Sequence, residues 1–479
     1  VTVGFIGRRT ELAVLGKRLE YAAAAGVAVA VRGRRQVGKS RLIQEFCDRA
    51  QVPYCYFTAT KGASPVESVD WFVGSIRESS LPADRELVPT HAAGGWPDAF
   101  RILAAALPDT PSIMVIDELP WLAEQDDLFD GALQTAWDRL LSRRPVLLLL
   151  LGSDIHMMER LTAYDRPFFG RADNLVLGPL NPAEVGDALT LPPADAIDAH
   201  LVSGGIPGIL RSWPPGMSAA DFLRQECLDP AAPVFGIPES TLLAEFPAPD
   251  QSRRVLEAVG SGERTHANIA AAAGSRAGAI PSGSLSPLLQ RLVTEKRVLA
   301  VDEPLSTSPG KPALYRVDDS NLRLYLAFLR TVHELARRGR PDAAMTVVDR
   351  QWHTWRGRAV EPMVRQSLEL AALSGRLPWP DVQNVGGWWN RQFNPEVDLV
   401  GADRAPVASR IHFAGSVKWL GTAFDKHDLH ELRRSAAQIP GFDGNGLVIA
   451  SLSGLAENVV LGGDEIIWGP GQVIQAWQG

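Results

Sequence analysis

Residues 26–31 (GVAVAV) are apolar and run into a glycine-rich turn. The stretch behind that turn, 40–50, sets Leu42, Ile43 and Phe46 at helical spacing. Short apolar runs recur at 53–58 (PYCYFT), 112–117 (SIMVID), 146–151 (VLLLLL) and 174–177. Amphipathic stretches such as 130–142 separate them. Strands that are apolar throughout are buried on both faces, and helices between them imply parallel crossovers. The pattern predicts an α/β fold, a doubly wound parallel sheet whose ligand sits at the carboxyl ends of the strands.

The pattern changes beyond residue 180. Residues 182–246 are rich in helical spacing and prolines. Helices are then predicted over 253–260, over 265–273 with Thr265 as N-cap, and over 284–296. Two short strands, 298–301 and 314–317, flank a connection bearing proline and glycine, a hairpin-like wing. The basic run Arg337-Arg338-Gly339-Arg340 before Pro341 reads as an exposed linker. The expected domains are 1–185, 186–248, 249–335 and 350–479.

Composition narrows the class. A chain of 479 residues corresponds to about three domains. Hydrophobic residues at 46% and a formal charge of −7 exclude a disordered chain and a surface that coats nucleic acid throughout. Three scattered cysteines exclude a disulfide framework and a cysteine zinc site. Neither 21–31 nor 146–151 reaches the roughly 20 apolar residues of a membrane span. Arg8, Arg9 and Glu11 stand where a signal peptide would be apolar. A cytoplasmic protein without membrane contact is expected.

Gly33-Arg34-Arg35-Gln36-Val37-Gly38-Lys39-Ser40 fits G-x-x-x-x-G-K-S, and Arg41 follows it. Glycines let the main chain curl so that successive N–H groups face one phosphate, and the next helix adds its positive end. Lys39 would reach the outer phosphates, and the Ser40 hydroxyl would coordinate Mg²⁺. Only seven lysines occur in the chain, so chance supplies on the order of 0.006 such matches. A second motif, Ile113-Met114-Val115-Ile116-Asp117-Glu118, ends an apolar strand in two acids. Asp117 would bind Mg²⁺, and Glu118 would act as general base on water.

Phe5-Ile6-Gly7-Arg8 with Glu11-Leu12, then GRRQVGKS, then VIDE, resembles the archaeal-type AAA+/STAND-related P-loop ATPases. The resemblance implies a P-loop NTPase core with a helical lid, followed by a winged helix and an α+β nuclease-like domain. Ile6 and Arg8 become candidate nucleotide contacts, or else a plain packing and capping pair. Ser153, in Gly152-Ser153-Asp154, matches the family's polar sensor of the γ-phosphate, or caps a turn. Arg171 matches a sensor or arginine finger acting in cis or, in a homo-oligomer, in trans; the alternative is an ordinary ion-pair arginine. Pro207, in Gly204-Gly205-Ile206-Pro207, matches a lid proline near adenine, or shapes a loop.

From Arg276 to Arg297 the net charge is +3, four basic residues against Glu295, which favours DNA phosphates. Asp302 and Glu303 in the wing oppose DNA, so packing against protein is the alternative. At the C-terminal end the family resemblance implies a restriction-endonuclease-like domain. Glu361, Asp398 and Lys418 match its metal-site positions. Ser416 stands where the acid of E-x-K belongs, so a tight Mg²⁺ site lacks a ligand. Glu396, on the same strand face as Asp398, is the candidate substitute. The expected state is a degenerate nuclease kept for docking or DNA contact. The function read from all this is a Mg²⁺-dependent, ATP-hydrolysing switch coupled to DNA or a protein partner. The alternatives are an ATP-gated nuclease and a nucleotide-binding scaffold without turnover.

Overall fold

The apolar runs of the first third form β1 (Val27–Arg32), β2 (Tyr54–Thr58), β3 (Ser112–Asp117), β4 (Val146–Gly152) and β5 (Ala172–Val176). The structure is a computed structural model. It describes the chain except residues 1–4, 154–156, 160–163, 165–167, 247, 249, 277, 310–311 and 479. The strands lie in the order β2-β3-β4-β1-β5, each neighbouring pair parallel. The intervening helices are α1 (Arg9–Ala22), α2 (Lys39–Ala50), α3 (Pro65–Glu78), α4 (Trp96–Ala106), α5 (Leu119–Gln125) and α6 (Phe129–Arg139).

Every residue of β3 and β4 is buried, and alternate residues enter two separate cores. Val29, Val31, Ile113, Leu147 and Leu149 pack with Leu15 of α1 and Leu42, Ile43 and Phe46 of α2. Ala28, Ala30, Met114, Leu148 and Leu150 pack with Phe72 of α3, Phe100 of α4 and Leu133 of α6. Helices therefore cover both faces, as the all-apolar strands require. Each such leucine or phenylalanine contributes about 1.5–3 kcal/mol of burial. The helix starts are set locally. A capping box joins Ser64 and Glu67 ahead of α3, with Pro65 in its first turn. The chain leaves β1 for the far edge at β2 and returns through β3 and β4. The carboxyl ends of β1, β4 and β3 thus lie side by side.

The chain divides into two compact units between Leu180 and Asn181. The second unit opens with α7 (Pro182–Leu189), α8 (Pro193–Ser203), α9 (Pro207–Leu210), α10 (Ala219–Glu226) and α11 (Pro233–Glu245). Next come α12 (Gln251–Gly260), α13 (His266–Ala272), α14 (Ser282–Thr294) and the antiparallel hairpin β6 (Leu299–Asp302) and β7 (Leu314–Val317). These helices and the hairpin share one core, with Leu256, Ile269, Leu285, Leu289, Leu299 and Val317. Thr265 caps α13 by accepting from the Asn268 N–H.

The chain continues through α15 (Ser320–Leu324) and a π-helical turn at Tyr325–Leu329. It then forms α16 (Arg330–Arg337), α17 (Pro341–Ala359) and α18 (Glu361–Leu373). The basic run 337–340 is exposed as expected, but it is no linker. Gly339, at φ 68°, turns the chain after α16, and Pro341 starts α17, which packs back against α16. The last sheet has the order β12-β11-β10-β9-β8. Its strands are β8 (Asn384–Trp389), β9 (Glu396–Ala402), β10 (Ile411–Lys418), β11 (Leu447–Ser451) and β12 (Glu465–Trp468). β8, β9 and β10 are antiparallel, whereas β11 and β12 join in parallel. Residues of α18 cover one face, and α19 (Lys426–Ala436) covers the other. A final helix, α20 (Pro470–Gln475), follows. Among the described residues no helix is long and apolar enough to cross a membrane.

Candidate functional site

The loop after β1 is shaped by close approach. A Cβ on Gly33 would lie 2.3 Å from the Leu177 carbonyl oxygen, so only glycine fits. Gln36 (φ 66°) and Gly38 (φ 92°) are left-handed on either side of Val37. That alternation curls the main chain into an anion-binding concavity at the start of α2. Lys39 is buried and folds back over the loop. Its Nζ donates to the carbonyls of Gly33 (2.7 Å) and Arg34 (2.9 Å). Burial pulls its pKa down to about 8, opposed by the charges of Glu118 and Asp117. Arg35, Gln36 and Ser40 are exposed at the rim, and Arg41 pairs with Glu45 at 3.0 Å.

Asp117 ends β3 and is only 4% exposed. Its Oδ1 accepts from the Glu118 N–H at 2.9 Å, and its Oδ2 accepts from the Tyr56 hydroxyl at 2.7 Å. Tyr56 lies on β2, and its phenol is driven well above its ordinary pKa by burial and by the Asp117 charge, with neighbouring Ser40 acting in the opposite direction. Glu118 takes φ 55° at the strand tip. Its Oε1 accepts from the Ser153 hydroxyl, 2.7 Å away beyond β4. Lys39, Asp117, Glu118 and Ser153 are thereby brought together. Asp154, the last residue of the sensor motif, lies outside the described residues.

Other candidates are placed elsewhere or engaged differently. Ile6 is half-buried ahead of α1. Arg8 is buried beneath the loop: Nη2 donates to the carbonyls of Val37 (3.0 Å) and Gly178 (2.6 Å), and Nη1 pairs with Glu11 (3.0 Å). Arg171 forks onto Asp138 of α6, both bonds 2.8 Å. Pro207 begins α9 in the second unit, after Gly204 and Gly205, both with positive φ.

The residues of the first unit suit Mg²⁺ with a nucleotide. A hydroxyl (Ser40) and a buried carboxylate (Asp117) share one neighbour, Tyr56, beside a glycine cradle. Sequence reasoning does not single out Tyr56. It becomes visible once β2 is known to neighbour β3, because aromatic residues in a strand otherwise read as core.

The C-terminal constellation is different. Glu361 opens α18 and is pushed up to about 7 by burial and by Asp398. Asp398 on β9 accepts from Ser416 Oγ (3.0 Å) and the Val417 N–H (2.8 Å). Its own pKa is raised by burial. Lys418 is turned away onto Asp428 (2.5 Å) and the Ala423 carbonyl (3.0 Å). Glu396 is held by Arg264 at 2.9 Å, and Glu361 faces Arg365 at 3.6 Å. Among the described residues no three His, Cys, Asp or Glu are grouped to hold a metal. These carboxylates do not fit Mg²⁺ in this arrangement. Trp388 and Trp389 are buried in the sheet.

Residues 325–429 match the DUF234 family, described as archaea bacterial proteins of unknown function. The chain is also similar to solved structures. One is the Walker-type ATPase PABY2304 of Pyrococcus abyssi, with 19% identity, 67% of this chain and 96% of that one covered, and a TM-score of 0.49. Another is the Aeropyrum pernix ORC2 protein in ADPNP-ADP complexes, with 12% identity, 71% and 96% covered, and a TM-score of 0.46. A third is the Aeropyrum pernix ORC1 protein in complex with DNA, with 14% identity, 70% and 95% covered, and a TM-score of 0.34. No curated protein matches the chain.

Proposed function

We propose that the first unit binds ATP and hydrolyses it, as a switch acting on the second unit. The observation that carries this reading is the placement of a buried lysine over a glycine-cradled loop, with two acids at the tip of β3, one of them bonded to Ser153 beyond β4. Loop N–H groups and Lys39 would bind the phosphates. The Lys39 ammonium would exchange its two carbonyl partners for phosphate oxygens, which favour the charged form. Ser40 and Asp117 would hold Mg²⁺, which would neutralise charge on the phosphates when bound. Glu118 would take the proton of the attacking water, whose oxygen bonds to the γ-phosphorus as the bond to the ADP oxygen breaks. Ser153 already holds Glu118 and would orient it. Arg8 supports the loop rather than the ligand. Arg171 would serve turnover only after leaving Asp138, in its own site or that of a second copy.

The three helices and hairpin of the second unit support a winged helix. The outward face of α14 carries Ser284, Ser286, Gln290, Arg291 and Thr294, residues that suit phosphate and base-edge contacts in DNA. The C-terminal module then serves docking rather than cleavage. Lys39→Ala is expected to abolish ATP binding. Glu118→Gln is expected to keep binding and stop phosphate release. ATP binding by the Lys39 variant at wild-type affinity would overturn the assignment. Zero release by the wild type would favour a scaffold. Asp398-dependent plasmid cleavage would favour a nuclease. Arg291→Ala tests the DNA arm, with a shallower salt dependence of binding as the expected result.

A further inference from the structure

Two acids of the C-terminal module, Glu361 and Glu396, already have cations, and those cations are side chains. Arg264 immediately precedes Thr265, the cap of α13, and the Tyr315 N–H of β7 donates to its carbonyl at 2.9 Å. Its guanidinium forks onto Glu396, the first residue of β9, at 2.9 and 3.4 Å. Arg365 of α18 faces Glu361 at 3.6 Å and Asp302 of β6 at 3.9 Å, and its Nε donates to the Asp398 carbonyl at 2.9 Å. Arg316 of β7 pairs with Asp302 at 3.4 Å and, toward solvent, with Asp318. Arg323 of α15 donates to the Arg358 carbonyl at 3.4 Å, and burial, with the charge of Arg316, pulls its pKa down to about 10. Arg264 thus pairs with Glu396, Arg365 with Glu361 and Asp302, and Arg316 with Asp302, while the Asp398 carboxylate is held by Ser416 and the Val417 N–H. A divalent ion added there would be an unbalanced charge in a largely buried place.

The connection between β6 and β7 is committed to the same junction. Leu305 is 2% exposed within the core of the last sheet, and its N–H donates to Gly387 at 2.8 Å. The Ala408 N–H donates to Ser306 at 3.0 Å, and Trp389 Nε1 donates to the Pro312 carbonyl at 2.8 Å. The described ends of that connection, at Leu305, Ser306 and Pro312, are thus tied to the last module.

We propose that Arg264 is a tethered cation that closes the acidic site of the C-terminal module, fastening the three-helix module to it and keeping divalent metal out. This goes beyond the ATP-switch reading and does not depend on it. The test is Mn²⁺ binding, followed by electron paramagnetic resonance and calorimetry, on the nucleotide-free full chain carrying Asp117→Asn to silence the first unit. With Arg264 intact, and with Arg264→Lys, no saturable binding is expected. Adding Arg264→Ala should create one Mn²⁺ site, at least tenfold tighter than any in the parent, and Asp398→Asn should abolish it. Asp398-dependent Mn²⁺ binding by the parent would overturn the proposal. So would a folded Arg264→Ala chain with no gain. If that variant does not fold, the exchange Arg264→Glu with Glu396→Arg decides. It should restore folding and stay metal-free, and an exchange no more stable than Arg264→Ala refutes the clasp.

Discussion

Arg8→Ala would withdraw a guanidinium that is 4% exposed and joins α1, the phosphate loop and the chain after β5. It removes bonds to the Val37 carbonyl at 3.0 Å and the Gly178 carbonyl at 2.6 Å, and the ion pair with Glu11 at 3.0 Å. A hydrogen bond from a charged donor contributes about 1.5–3 kcal/mol. The two carbonyl bonds together therefore account for about 3–6 kcal/mol. The Glu11 pair is partly exposed and adds at most about 1 kcal/mol. In a unit of this size each kcal/mol moves the melting midpoint by roughly 2–4 °C, so a fall of about 6–28 °C is expected. Val37 also loses its tie, and the curl between Gln36 and Gly38 loses support. ATP affinity should drop with stability, and Arg8→Lys should recover only part of each because an ammonium cannot fork. Thermal unfolding with and without ATP, beside a fluorescent-nucleotide titration, measures both. Arg8→Ala melting within about 2 °C of wild type and binding ATP equally well would refute the reasoning; that margin is the smallest shift that 1 kcal/mol gives.

Tyr56→Phe removes the hydroxyl that occupies Asp117 Oδ2. Freed of a bond to a charged group worth about 1.5–3 kcal/mol, Asp117 should bind metal more readily. The Mg²⁺ half-saturation of ATP hydrolysis should fall roughly tenfold or more, and an unchanged or higher value would show that the phenol does not compete. Gly33→Ala sets a methyl group against a backbone oxygen that cannot swing away. It should cost about 1–3 kcal/mol and sharply weaken ATP binding, and wild-type calorimetric affinity would contradict the close approach. Asp138→Ala frees Arg171 from an exposed pair, so stability should change by less than about 1 kcal/mol. A larger loss by urea unfolding would mean the pair is structural.

The apolar runs made β1, β3 and β4 legible because strands buried on both faces announce themselves, whereas no residue of β5 is buried. The sequence did not order them, since every strand looks alike to periodicity. The glycine-bearing turn after β1 and the place of Asp117 and Glu118 at the tip of β3 were legible from spacing. Arg8 was found as a candidate but in a different capacity, because a buried arginine and a ligand-facing one have the same letter. Tyr56 and Arg264 were invisible: each acts on a carboxylate far away along the chain, Asp117 and Glu396 respectively. The run at 337–340 misled because exposed charge marks turns and linkers alike. In the last module Ser416 stands where the resemblance expects an acid, but nothing in the order of residues revealed that Arg264 pairs with Glu396 and Arg365 with Glu361.

β4 carries five consecutive leucines, 147–151, and both helix layers accept them equally. Sliding the strand by one residue would exchange its two sides without exposing any oil to water, so greasiness alone gives it no address. The address is written at its ends. Before it, the Ser112 N–H reaches the Pro145 carbonyl at 3.0 Å. After it, Gly152 leaves no space for a methyl, because one would lie 2.5 Å from the Met158 sulfur. A misthreaded strand would keep its grease covered and yet carry Ser153 away from Glu118, giving a chain that folds, stays soluble and does nothing.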